Sequence, residues 1–306
     1  MNQKQQQISL AGFLITLVGA IFFSTKAIFV KLAFQSTQVD AVTLLSLRML
    51  FSLPFYLVIA WWSGTKESAQ QLTGREWLLI LLMGIFGYYL SSLFDFIGLQ
   101  YVSAGLERLI LFLYPTFAVL LNRVWFKTKL SRTHIVALIL TYLGIGIAYI
   151  GEMKVDTSNP HFYYGSFMIF LCAITYSLYL VGTGRMVPKV GATRYTAFAM
   201  LFATLGIFLH FIVTKNMQHI HLSNSLAYYA IALAIIATVL PSFMMSYGMN
   251  NIGSNNVAII TSIGPVSTII QAHFILNEKV FDLQIYGTLL VIIGVVLIGW
   301  KSSQSR

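Results

Sequence analysis

Long apolar runs separated by short polar connections make up nearly the whole chain, at 8–33, 41–62, 77–99, 103–124, 133–150, 162–182, 193–213, 226–249, 255–276 and 283–300. Each is close to the roughly 20 residues that a helix needs to cross about 30 Å of hydrocarbon. In lipid, backbone N–H and C=O groups must be satisfied inside a helix or around a closed barrel. None of the runs shows the short alternating pattern of a barrel strand. The pattern therefore predicts an all-α integral membrane protein, with one transmembrane helix for each run. The first run is too long for a secretory signal, lacks a small-x-small cleavage site and is followed by further spans, so it is expected to persist as mature structure.

Polar residues inside these runs are few and clustered. Tyr88, Ser91, Ser92 and Asp95 recur at i, i+3, i+4 and i+7 in the third span, a polar stripe along one helix face. The fourth span carries Glu107 and Arg108 just past a tight bend near Leu99 to Ser103. In an antiparallel hairpin Asp95 lies about level with both, and Lys26 in the first span falls at a similar height. An ionisable group within a span costs at least about 2.5 kcal/mol, so such residues are read first as a functional site facing the protein interior. The four charges could instead pair with one another and fix helix packing. Glu107 and Arg108 project about 100° apart, so only one of them can face Asp95. Lys26, a compact cation with three donors, is the candidate for an anionic substrate group. Asp95 or Glu107 could take up a coupling proton. Arg48, alone in the second span, is expected to bond helix-terminal carbonyls or to snorkel.

Sliding the chain by 150 residues aligns Gly98 with Gly248, Ile110 with Ile260, Pro115 with Pro265, Lys129 with Lys279, Ile135 with Ile285, Leu140 with Leu290 and Gly144 with Gly294. The offset divides the protein into residues 1–152 and 160–306, joined by a linker from Gly151 to His161. Each half holds five spans, an odd number, so the second is expected to be inverted relative to the first, around a central chamber. Pro115 and Pro265 each remove a hydrogen bond to the carbonyl four residues earlier, at Leu111 and Thr261. Broken helices of this kind are tolerated where they line a cavity. Thr261, Gly264, Thr268 and Gln271 fall close to one face of the ninth span. Pro241 and Ser242 take the places of Ser91 and Ser92, and Met245 that of Asp95, so the internal symmetry leaves the charge on one side only.

Composition agrees with a membrane protein: 58% of the residues are hydrophobic and only 9% charged, far below the usual quarter. The net charge of +10 would suggest nucleic acid in a soluble domain. Here the basic residues gather in one set of loops, which excludes that reading. With a cytoplasmic amino terminus the inner loops hold Lys4, Lys66, Arg75, Arg123, Lys127, Lys129, Arg132, Arg185, Lys189, Arg194, Lys301 and Arg306, against Lys31, Lys154, Lys215 and Lys279 outside. Both termini are therefore expected inside. Cys172 has no partner for a disulfide. His210 and His273 lie near outer span ends without metal-ligand spacing, and the nucleotide-loop, zinc-protease and serine-hydrolase motifs are absent. No catalytic residue, cofactor or metal is expected. Tyr114, Tyr176 and Tyr179 could stack on a ligand.

The run YVSAGLERLILFLYPTFAVLL with its basic loop and GIGIAYIGE, and its echo IGSNNVAIITSIGPVSTIIQAHFILNEKVFDLQIYGTLLVIIGVVLIG, resemble the EamA-type permeases of the drug/metabolite transporter superfamily. Arg48 in SLRMLF, both span prolines and the FILNEK segment around Glu278 match features of that family. The resemblance implies a basket of helices around a chamber lined mainly by spans 1, 3, 4, 6, 8 and 9, and export of small metabolites such as amino acids. Glu278, at an outer loop, reads as a capping or packing residue.

The sequence thus leads to an inner-membrane permease that exports a small polar, amino-acid-like solute by alternating access. Its expected partners are that solute, the bilayer and a proton or other coupling ion. The site is expected at Lys26, Asp95, Glu107 and Arg108, with the hydroxyls of Ser91, Ser92 and Thr261 in support. A non-transporting sensor or assembly protein with the same fold is the alternative. A membrane enzyme acting on lipid-linked substrates would need a nucleophile-base or metal constellation that the sequence lacks.

Overall fold

The computed structural model describes residues 10–64, 71–127, 132–153, 159–214 and 223–304. The polar head Met1 to Gln7, the middle of the linker, and Lys66, Lys129, Lys154, Lys215 and Arg306 lie outside the described residues. Among those described, nine helices are long and apolar enough to cross a membrane, and a shorter apolar stretch, Asp282–Leu297, supplies the tenth span.

Four of the spans are interrupted. Span 3 consists of α3 (Gly74–Leu82), a π-helical segment (Met83–Tyr89) and α4 (Leu90–Leu99), and span 4 of α5 (Ala104–Leu111) and α6 (Tyr114–Phe126). They follow α1 (Leu10–Ser36) and α2 (Ala41–Gly64) and precede α7 (Arg132–Met153). In the second half, α8 (Phe162–Val190) and α9 (Ala192–Thr214) lead to span 8, built from α10 (Asn224–Ala234), a π-helical segment (Ile235–Val239) and α11 (Leu240–Ile252). Span 9 consists of α12 (Ser254–Thr261) and α13 (Gly264–Leu276), and α14 (Asp282–Gln304) closes the bundle.

The breaks have local causes. Pro115 and Pro265 are each the second residue of a new helix, after turns at Phe112–Leu113 and Ser262–Ile263, as the missing N–H requires. Pro241 follows the second π segment, where Thr238 Oγ1 donates to the Leu233 carbonyl at 2.8 Å and satisfies a group that the wide turn frees. In the first π segment a Cβ on Gly84 would lie 2.5 Å from the Ala199 carbonyl, so α9 packs directly on the backbone there. The interruptions repeat with the sequence offset: α5 and α12, and α6 and α13, match in both bounds when shifted by 150 residues. The left-handed caps Lys127 (φ 52°) and Asn277 (φ 55°) match in the same way.

The helices pack in pairs that the same shift interchanges. α1 lies against α11 and α13, and its counterpart α8 lies against α4 and α6, while α2 packs on α9 and α7 on α14. Each half therefore buries its apolar faces largely against the other. The α7–α14 contact depends on glycine, since a Cβ on Gly144 would sit 2.5 Å from the Gly287 carbonyl. Gly144→Val is expected to destabilise the protein by about 1–3 kcal/mol through overpacking. Gly146→Val, where a Cβ meets nothing within 4 Å, should be nearly silent. Thermal unfolding of the two variants in detergent checks the contrast.

Two boundaries differ from the hydropathy reading. α1 runs to Ser36, past the end of its apolar run, with Lys31, counted above among the loop cations, on its last turns, and α8 runs to Val190, taking Arg185 and Lys189 with it. Hydropathy marks the depth of lipid, whereas a helix continues into the interface as long as its backbone bonds are made. Lys189 there reaches Glu76 at 3.3 Å, on an exposed surface where such pairs contribute little. Glu76 belongs to a capping box with Thr73, which starts span 3 at Gly74.

Candidate functional site

Lys26, Asp95 and Glu107 come together. From α1, the Lys26 ammonium lies 2.7 Å from Asp95 Oδ2 on α4 and 3.7 Å from Glu107 Oε1 on α5. The side chains of Asp95 and Glu107 are 1% and 0% exposed, so this is an ion cluster without bulk water. Asp95 Oδ1 and Glu107 Oε2 are buried and accept no hydrogen bond among the described residues. Two acids sharing one lysine form an arrangement that can hold a proton or a second cationic donor.

Arg108 faces elsewhere, as the 100° step on the helix demanded. Its guanidinium carbon lies 5.4 Å from the Phe23 ring centroid and 5.5 Å from that of Phe112. The group abuts Gly264, where a Cβ would come within 2.5 Å of Nη2. Lys26 had been the candidate for an anionic group, but its ammonium is committed to the two protein carboxylates.

Arg48 departs from its expected role. It neither snorkels nor bonds helix-terminal carbonyls: it is 2% exposed, donates from Nη2 to Ser92 Oγ at 3.1 Å and lies 4.9 Å over the Phe96 ring. Ser92 is thereby engaged, and Ser91 donates to the Tyr88 carbonyl of its own helix at 3.1 Å. Thr261 shares a hydrogen bond with Tyr114. Tyr114 meets Tyr176 edge-on at 5.1 Å, and Tyr176 stacks on the buried Tyr179 at 5.9 Å, so the three tyrosines form one aromatic row, the first two half-buried. On α13 and α1, Ser24 Oγ donates to the Gly264 carbonyl at 3.4 Å and Thr268 Oγ1 to the Ser24 carbonyl at 3.5 Å, which is helix packing. Tyr89 bonds His210 at 2.7 Å, and His273 Nδ1 bonds the Glu278 carbonyl at 3.0 Å. Among the described residues no group of three or more His, Cys, Asp or Glu could hold a metal ion.

One assembly was not foreseen. The turn between α4 and α5 is tied down from four directions. Lys31 Nζ donates to the Val102 carbonyl at 2.8 Å and Asn159 Nδ2 to the Tyr101 carbonyl at 2.7 Å. Ser103 N–H donates to Glu152 at 3.3 Å, while Ala104 and Gly105 N–H donate to the Glu278 carboxylate at 2.9 and 3.4 Å. Glu278 thus caps α5, one of the two roles, capping or packing, read for it from the sequence, with a charge that also suits the positive helix end. At the matching turn between α11 and α12 the bonds are local: Asn251 Nδ2 to the Tyr247 carbonyl at 2.8 Å and Asn256 Nδ2 to the Ile252 carbonyl at 2.6 Å.

This geometry defines a polytopic helical membrane protein with a doubled plan and a buried ionic layer. A model of the EamA-like transporter family matches residues 10–150 and again 163–300. The chain belongs to that family. It is similar to a Bacillus subtilis (strain 168) protein named Uncharacterized transporter YcbK, with 28% identity over 94% of this chain and 92% of that one. A Synechocystis protein named Uncharacterized transporter sll1319 is 23% identical, over 96% and 94% of the two chains. A solved crystal structure superposes with a TM-score of 0.65 over 94% of both chains at 18% identity, a likeness of fold alone. The transporter names of the relatives do not favour the sensor alternative.

Proposed function

We propose that this protein exports a small polar, amino-acid-like metabolite across the inner membrane by alternating access. Residues 1–152 and 160–306 are the two inverted halves, both termini face the cytoplasm, and the solute binds at the ionic layer. The observation that carries this reading is the buried cluster in which Lys26 bridges Asp95 and Glu107 where α1, α4 and α5 meet. Ionisable groups so deep in a span are expensive, and transport pathways and proton relays are where they recur. Asp95 and Glu107 are the proton-coupling candidates, and Ser91, Ser92 and Thr261 line or support the same layer. Flux of solute into vesicles containing the purified chain tests the reading, and binding without flux would defeat it.

The bonds at the outer turn supply the gate that alternating access needs. In this reading the turn held by Lys31, Asn159, Glu152 and Glu278 is the closed outer gate. Glu278→Gln weakens two hydrogen bonds to a charged acceptor, a loss of about 1.5 kcal/mol or more. It is expected to raise outward opening about tenfold. A cysteine at Val102, labelled from outside the cell with a membrane-impermeant thiol reagent, should then react faster by about that factor. Unchanged labelling would remove the gate assignment.

A further inference from the structure

The buried layer holds more positive than negative groups. Lys26, Arg48 and Arg108 stand against Asp95 and Glu107, and all of them are buried. Lys26 engages both acids, and Arg48 is turned toward Ser92 and Phe96. Arg108 is left with two aromatic faces. It is 5% exposed, forms no ion pair among the described residues, and its Nε has no hydrogen-bond partner there. Cation–π contact with Phe23 and Phe112 can hold a guanidinium in place, but it offers no acceptor for the N–H donors.

The surroundings sharpen the imbalance. Arg108 sits against Gly264, the first residue of the 13-residue helix α13, whose amino-terminal end is itself electropositive. Near the end of α12, the Ile259 and Ile260 carbonyls accept from the Ser262 and Ile263 N–H groups at 3.2 and 3.3 Å. A guanidinium and a helix amino terminus are thus in contact, with no carboxylate in an ion pair to the guanidinium. A Cβ at Gly264 would come within 2.5 Å of Nη2, so a side chain there would displace the fork.

We propose that Arg108, seated against Gly264 at the break between α12 and α13, recognises an anionic group on the transported solute, a carboxylate or an equivalent monoanion. The inference rests on the permease reading and names the chemical class of its substrate. Guanidinium presents paired N–H donors that match a carboxylate, and a bound anion neutralises the excess positive charge of the layer before the solute crosses. Phe23 and Phe112 keep the fork oriented when the site is empty.

Two measurements on the full-length protein test the assignment. In detergent and without added solute, Arg108→Met is expected to raise Tm by about 2 °C or more, because an unpaired buried charge is replaced by a side chain that packs on aromatic rings. A fall in Tm would make Arg108 a structural residue and overturn the proposal. In culture, the medium of cells overproducing the wild type is expected to gain solutes that carry an anionic group at neutral pH. Arg108→Met and Gly264→Ala should lose that gain by about tenfold or more, and Arg108→Lys should keep part of it. Export of neutral or purely cationic solutes would overturn the anion assignment while leaving the permease intact, as would unchanged export by Arg108→Met. No enrichment by the wild type itself would count against export, and the inference would fall with it.

Discussion

Lys26→Met is expected to destabilise the protein by about 3–5 kcal/mol, the largest stability effect of any single substitution considered. The lysine is the ion-pair partner of both Asp95 and Glu107, at 2.7 and 3.7 Å. Removing it leaves two carboxylates facing each other in a site without bulk water, and breaking a buried pair leaves an uncompensated charge. The effect is therefore asymmetric. A triple variant, Lys26→Met with Asp95→Asn and Glu107→Gln, removes the cluster as a unit and should recover most of the lost stability, since neutral replacements of buried ion pairs are often close to neutral. Thermal unfolding in detergent of the single and triple variants separates this account from one in which Lys26 acts through its aliphatic stem. In that case the triple variant would be as unstable as the single one.

Asp95→Asn is expected to reduce transport by about ten- to a hundredfold while leaving the amount of folded protein unchanged. Glu107 remains as a counter-ion for Lys26, so the fold keeps a buried pair. What is lost is the closest contact of the cluster and one site where a proton could be carried. A charge-assisted hydrogen bond worth about 1.5–3 kcal/mol corresponds to that range. Detergent-extracted protein should elute like the folded wild type even if its Tm is lowered, which distinguishes a transport defect from a folding defect.

Much of the fold could be read from hydropathy, because in lipid an apolar run of sufficient length has no alternative to a helix. Proline positions located the breaks in spans 4 and 9, since a missing N–H is a local property. The π segments in spans 3 and 8 carried no comparable signal in span 3, where glycine contacts with α8 and α9 appear only once those helices are packed. That Lys26, Asp95 and the Glu107–Arg108 pair share one layer followed from depth alone. Depth could not say which of Glu107 and Arg108 would face the acid, because that depends on the rotation of α5. It also misjudged Arg48, whose partner Ser92 lies on another span. The bonds that tie down the α4–α5 turn were illegible for a related reason. Lys31, Glu278 and the neighbouring pair Glu152 and Asn159 are far apart in sequence and meet only at the turn that they bind.

Whether the buried ionic layer is the transport site is tested by comparing solutes released into the medium by cells overproducing the wild type or Asp95→Asn at matched membrane levels. The account predicts a solute that accumulates with the wild type and falls by at least about tenfold with the variant. Equal accumulation by both would contradict it.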